Sequence, residues 1–270
     1  MTVPNTLTDE AAVRRNRARA TALFLQEQAA DEVQDRLSMV NRSFTRPAVV
    51  TPFPSVWAKR LPDAELCQDQ ETLALAEGAH DLVIHAMGLH WSNDPVGQLI
   101  QCRRALKPDG LLIAACLGGQ TLQELRVALA AAEVAVLGGL SPRIAPMAEI
   151  RDLGALLQRA GLALPVADSL TLRVDYRDAW HLMQDLRAMG EGNALTARRR
   201  HPVPRQLFQK TAQEYAALHT TPEGRVRATY EMVFLTGWAP DASQQQPLRP
   251  GSAKQRLAEA LAVPETRLPD

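Results

Sequence analysis

Asp81-Leu82-Val83-Ile84, then Asn93-Asp94-Pro95, then Arg104-Ala105-Leu106-Lys107-Pro108-Asp109-Gly110 and the apolar run Leu111 to Cys116 are the stretch that decides the fold of this chain. The first four residues make a compact strand. Asn93-Asp94 supplies a helix cap and Pro95 the first helical position, after which Val96, Leu99, Ile100 and Leu106 fall on one buried face. Lys107 to Gly110 is expected to stop that helix and turn the chain. Leu111 to Cys116 is apolar throughout, as a strand covered on both faces must be, so the two strands and their helix form a right-handed βαβ unit. A parallel sheet with helices on both sides follows.

Downstream, Gly118-Gly119 ends the strand, and Thr121 with Glu124 has the spacing of a capping box for a helix running toward Gly138-Gly139. A further helix is expected from about Met147 to Ala160, closing at Gly161. Leu170, Leu172, Val174 and Tyr176 alternate with polar residues at the period of a strand, and Asp178 caps the next helix. A second alternating run, Val226 to Met232, suggests that the sheet finishes with an antiparallel edge. Upstream, Ala29, Val33, Leu37, Val40 and Phe44 draw one helical stripe. Between Pro47 and Pro62 lie a short strand, Ala48 to Thr51, and a brief helical stretch near Val56. The expected organisation is an N-terminal helical arm over residues 1–45, an α/β domain over 46–240, and a polar tail over 241–270 with a short helix at Lys254 to Leu261.

Composition narrows the class. The chain has 270 residues, 30 Lys+Arg against 30 Asp+Glu, and 46% hydrophobic residues, which excludes collagen-like, disulfide-framework and wholly disordered chains. Zero net charge removes the global electrostatic drive toward nucleic acid or an anionic membrane. Local basic runs remain at Arg14 to Arg19 and at Arg198 to Arg200. No apolar run approaches the length of a membrane helix, so no membrane insertion is expected. Cys67, Cys102 and Cys116 form no metal or redox spacing and read as buried thiols of a cytoplasmic protein. His85 and His90 lack the spacing of paired metal ligands, and no metal is expected.

The residues Asp81 to Ile84, Leu89-His90-Trp91 and Arg104 to Leu111 resemble the fourth strand, its helix and the fifth strand of class I S-adenosylmethionine (SAM) methyltransferases. Leu117-Gly118-Gly119, Thr121-Leu122, Ser141-Pro142-Arg143, Gly237-Trp238-Ala239-Pro240 and Arg249-Pro250-Gly251-Ser252 are similar to one branch. That branch holds the malonyl-carrier-protein methyltransferase of biotin synthesis and the methyltransferase-like complex I assembly factor. The resemblance covers about residues 65–262 well and the arm more loosely. It implies a doubly wound, mostly parallel, Rossmann-like sheet. It also implies SAM as cofactor, with Asp69 as the acid that receives the adenine amino group and Ala86 and Met87 beside the methionine part. His90 and Trp91 would form the substrate-side wall, an imidazole able to act as base and an indole as lid.

Two departures from the pattern bear on the cofactor. The family's glycine turn after the first strand lets bare backbone approach the ligand, but Ala48 to Ser55 contains no glycine and the first in the chain is Gly78. Only Ser55 to Glu65 separates that turn from the Asp69 strand, about one strand or helix too short for the family's second unit. The first half of the domain is therefore expected to be shortened and its SAM binding impaired or lost. Three functions stand open: a methyltransferase acting on a small molecule or protein, a non-catalytic assembly protein that holds a respiratory or metabolic subunit, and an RNA-associated module using the Arg198 run.

Overall fold

A computed structural model of the chain describes residues 6–245. Six strands form one sheet among them: β1 (Pro47–Val50), β2 (Glu65–Cys67), β3 (His80–Ala86), β4 (Leu106–Leu117), β5 (Ala163–Tyr176) and β6 (Val226–Trp238). Their spatial order is β2-β1-β3-β4-β6-β5. The first three pairings are parallel and the last two antiparallel, so the expected mixed sheet is present. β2 lies directly against β1, with no strand between them, and the first half is short as the sequence spacing implied.

β3 and β4 show why their sequences are apolar without interruption. Leu82, Ile84, Leu111, Ile113 and Ala115 join a core on one face, while Val83, Leu112, Ala114 and Cys116 join a second core on the other. Alternate side chains of one strand feed two hydrophobic layers. The first layer packs α2 (Phe24–Met39), α3 (Pro54–Trp57), α5 (Gln123–Leu137), α7 (Ala179–Ala188) and α8 (Arg205–His219). The second packs α4 (Pro95–Ala105) and α6 (Ile150–Arg159). Each fully buried Leu or Ile contributes about 1.5–3 kcal/mol.

Local signals and structure agree at several ends. Asp94 caps α4 by accepting from the Gly97 N–H at 2.8 Å, and Asp178 caps α7 from His181 N–H at 2.8 Å. Gly138 closes α5 at φ +73°, and Gly161 follows α6 at φ +76°.

Four expectations are corrected. Lys107 to Gly110 is not a turn: β4 begins at Leu106, and Asp109 at φ +59° sits where the β3–β4 register jumps from His80–Leu106 to Leu82–Leu111. The segment is absorbed as a bulge: its backbone keeps hydrogen bonds to Ala239 beyond β6, while opposite β3 its extra residues are skipped by the register. Thr121 and Glu124 form no capping box. Thr121 Oγ1 donates to the Glu231 carbonyl at 3.2 Å, and Glu124 accepts from Thr229 N–H at 3.1 Å and from its hydroxyl. The helix stripe shifts N-terminally to Phe24–Met39, because Val40 adopts an extended backbone. The later alternating run, β6, is not the edge of the sheet: β5 is, and β6 lies between β4 and β5 with Thr229 and Glu231 buried.

The described residues fall into two units, 6–240 and 241–245. In the second, Asp241 accepts from Ser243 N–H at 2.9 Å. The helix expected at Lys254 to Leu261 lies outside the described residues.

Candidate functional site

Open parallel sheets place ligands beyond the carboxyl ends of their strands. Asp69, two residues past β2, and Ala86 and Met87, at the end of β3, all reach that edge, so the structure brings the three together. The space beside them holds protein. α1 (Glu10–Arg17) ends there, and the Arg17 guanidinium donates to Asp69 Oδ2 at 2.5 Å and to the Met87 carbonyl at 3.4 Å. The side chains of this ion pair are 9% and 13% exposed, and Ala86 and Met87 are 1% exposed each. Met87 itself stands at φ +52°. Phe53, in the turn after β1, is part of the adjoining core.

His85 lies just behind this edge. Burial pushes its imidazole pKa down, and Nε2 meets the Gln98 amide oxygen at 3.3 Å.

His90 and Trp91 lie in a 3-10 turn (Leu89–Trp91) after β3, and both converge on Glu191, which follows α7. Trp91 Nε1 donates to Glu191 Oε2 at 2.7 Å, and His90 Nε2 lies 3.3 Å from the same oxygen. Burial alone would raise the Glu191 carboxyl, but His90, Arg17 and the indole N–H outweigh it and hold the group below the ordinary carboxylate range. An ionised carboxylate beside an imidazole can accept, hold or pass a proton.

Trp91 and Glu191 also line a cavity of about 290 Å³. Its walls are mostly apolar, with Leu125 and Leu129 from α5, Met183 and Leu186 from α7, Phe208 from α8 and Met147 from the loop after α5. Arg143, Arg187 and Tyr230 add polar groups. The loop is pinned by the buried Glu133, which accepts from Ser141 N–H at 2.8 Å and from Arg143 Nε at 2.7 Å. Burial opposes the charge on Glu133, yet the Ser141 and Arg143 hydrogen bonds lower its pKa.

Residues 34–114 match the family described as "Methyltransferase domain". The mitochondrial arginine-hydroxylase NDUFAF5 of Danio rerio is 36% identical over 203 residues, covering 75% of this chain and 63% of that protein. The human protein of that name is 38% identical, over 72% of this chain and 56% of that one. The malonyl-[acyl-carrier protein] O-methyltransferase of Laribacter hongkongensis is 37% identical, over 70% and 61%. The chain is similar to members of the class I SAM-dependent methyltransferase superfamily. It spans about three-fifths of the length of the curated relatives it matches.

SAM is the cofactor of this superfamily, and the residues at the methyltransferase cofactor position do not fit it as they are arranged. The Asp69 carboxylate is taken by Arg17, and Ala86 and Met87 have almost no accessible surface. The 290 Å³ cavity is lined by none of the three.

Two residues of this methyltransferase-fold site escaped the sequence. Arg17 was legible only as one of a basic run, because Asp69 lies 52 residues away. Glu191 carried no local signal at all, since His90 and Trp91 are about 100 residues upstream. Among the described residues no group of three or more His, Cys, Asp or Glu could hold a metal ion, and no helix is long and apolar enough to cross a membrane. The three cysteines are buried and free, and burial pushes the Cys116 thiol up to about 12.

Proposed function

We propose that this chain is a methyltransferase-superfamily protein in which SAM binding is impaired or lost, and that it works by engaging a protein partner through its basic arm and its intact C-terminal half. The observation that carries the reading is the buried Arg17–Asp69 pair: the acid matched to adenine recognition is bound to the protein's own guanidinium. Displacing Arg17 would strand one charge or the other, and a single hydrogen bond from adenine returns only about 1.5–3 kcal/mol of the roughly 8 that micromolar affinity needs. The missing glycine turn adds to the deficit. The resemblance to the complex I assembly factor points to a subunit of a respiratory or metabolic complex as the partner, in a cytoplasmic setting. Isothermal titration of the full chain with SAM up to about 1 mM is expected to give no saturable heat; a dissociation constant in the micromolar range would overturn the reading.

A second reading is favoured by the Glu191–His90 pair on the cavity wall. Here the protein is an enzyme that modifies a small molecule or a protein side chain held in that cavity, with His90 as base and Trp91 as wall. Glu191→Gln abolishing turnover of a bound substrate, with the fold intact, would support it. As its name states, one relative is an arginine-hydroxylase, so this fold is not tied to methyl transfer.

A further inference from the structure

The chain as a whole is uncharged, yet eight of its arginines fall in two segments that lie side by side. Two basic runs far apart in sequence meet there, because residues 7–22 lie alongside residues 188–196. Thr8 bridges Leu195 in antiparallel fashion. Asp9 N–H donates to the Ala194 carbonyl at 2.8 Å, Asn16 Nδ2 to the Gly192 carbonyl at 3.0 Å, and Thr21 N–H to the Ala188 carbonyl at 2.7 Å. α1 turns Ala12 and Val13 inward and leaves Arg14 and Arg15 exposed, with Arg19 exposed just beyond it. Arg187 stands at one end of this strip, and Arg199 and Arg200 at the other, beside Asp9.

Residues 7–22 and 186–201 contain eight arginines against three carboxylates, and of the eight Arg17 is buried against Asp69 and does not reach the face. All three carboxylates are committed: Asp9 to Arg198 at 2.8 Å, Glu10 to Arg14 at 3.6 Å, and Glu191 to Trp91 and His90. Arg15, Arg19, Arg187 and Arg199 make no ion pair among the described residues. Gathered like charges repel one another, and a complementary anionic surface relieves that repulsion while steering encounter. Arg187 belongs both to this strip and to the wall of the 290 Å³ apolar cavity, so the cationic surface runs into a hydrophobic pocket.

We propose that this face docks an acidic segment of a partner protein, its carboxylates on the arginines of the arm and one large apolar side chain in the cavity beside Met183 and Phe208. A nucleic acid fits the surface less well. The outward residues of α1 are Glu10, Ala11, Arg14 and Arg15, which offer bases no aromatic platform.

The test is fluorescence polarisation of the 270-residue chain with a labelled acidic peptide carrying one central Leu, with the same peptide carrying Ser in its place, and with a single-stranded RNA of equal length. The Leu peptide is expected to bind and to weaken as salt rises. The Ser peptide is expected to bind at least about fivefold more weakly, and the variant R15E/R199E at least about tenfold more weakly, with an unchanged melting profile. Equal binding by R15E/R199E, indifference to the Leu-to-Ser change, or tighter binding of RNA would each overturn the proposal. It rests on the partner-binding reading, but the two fail separately. Saturable SAM binding with peptide binding intact removes that reading and leaves this surface standing; no peptide binding and no SAM binding removes this surface alone.

Discussion

Arg17 is the residue on which the cofactor position turns. Its guanidinium is buried against Asp69 and the Met87 carbonyl, and its Nε has no hydrogen-bond partner among the described residues. Breaking a buried pair from one side leaves an uncompensated charge, which is costlier than never having had the pair. Arg17→Ala is therefore expected to lose about 3 kcal/mol of unfolding free energy, read from urea titration. A loss below about 0.5 kcal/mol would show that Asp69 finds water or another partner instead. Glu191 makes a second prediction through pH. Its folded carboxyl is held below the ordinary value of 4.5, so the unfolded chain takes up the proton first as pH falls. The stabilisation is complete above that value and is lost as pH drops below it through the folded pKa. Glu191→Gln should flatten this part of the acid limb of a stability-versus-pH curve; an unchanged limb would mean that His90 and Trp91 do not favour the ionised form.

Two helix starts show which elements a sequence can announce. Asp94 and its Gly97 partner lie three residues apart, so cap, proline and helix are decided locally, and the structure keeps them. Asp94→Ala should cost about 1 kcal/mol in denaturant unfolding, with no change in the slope of the transition. At α5 the same kind of signal failed. Thr121 and Glu124 have capping-box spacing, but both side chains bond to β6, more than a hundred residues away, and Leu122 opens the helix at φ +55°. The local pattern lost to a strand that sequence spacing cannot place. Thr229→Val, nearly equal in shape, removes a hydroxyl from the buried Glu124 carboxylate and is expected to destabilise by about 1–3 kcal/mol. A neutral result would return Glu124 to its helix as a conventional first-turn acid. Lys107 to Gly110 follows the same rule: its turn chemistry is real, but hydrogen bonds to the distant Ala239 hold it in the strand as a bulge.

The sheet was readable because its two central strands are apolar on both faces, and the site was readable only as far as it follows that sheet. Asp69, Ala86, Met87, His90 and Trp91 sit at strand ends and so could be located from the strands; what covers them comes from the first 22 residues and from the stretch after α7, which no periodicity links. The arm is therefore the part of the molecule whose role sequence and structure weigh differently. Read as a stripe it is an appendage, yet Leu25, Ala29, Ala30 and Val33 of α2 belong to the main core, and Ala12 and Val13 of α1 form a smaller one with Trp91, Ala194 and Leu195. Deleting residues 1–22 removes α1 alone and leaves α2 in place. It strips the partner from Asp69 and uncovers Trp91, so the losses of a buried ion pair and of two apolar side chains combine to several kcal/mol. At about 2–4 °C per kcal/mol for a domain of this size, the melting temperature should fall by roughly 10–20 °C. The transition should remain a single cooperative step, since the sheet and both of its main cores are untouched. A truncated chain that melts within about 2 °C of the full one would make the arm a tether rather than a structural cover, and the closure of the Asp69 position would then have to come from Phe53 and Met87 alone.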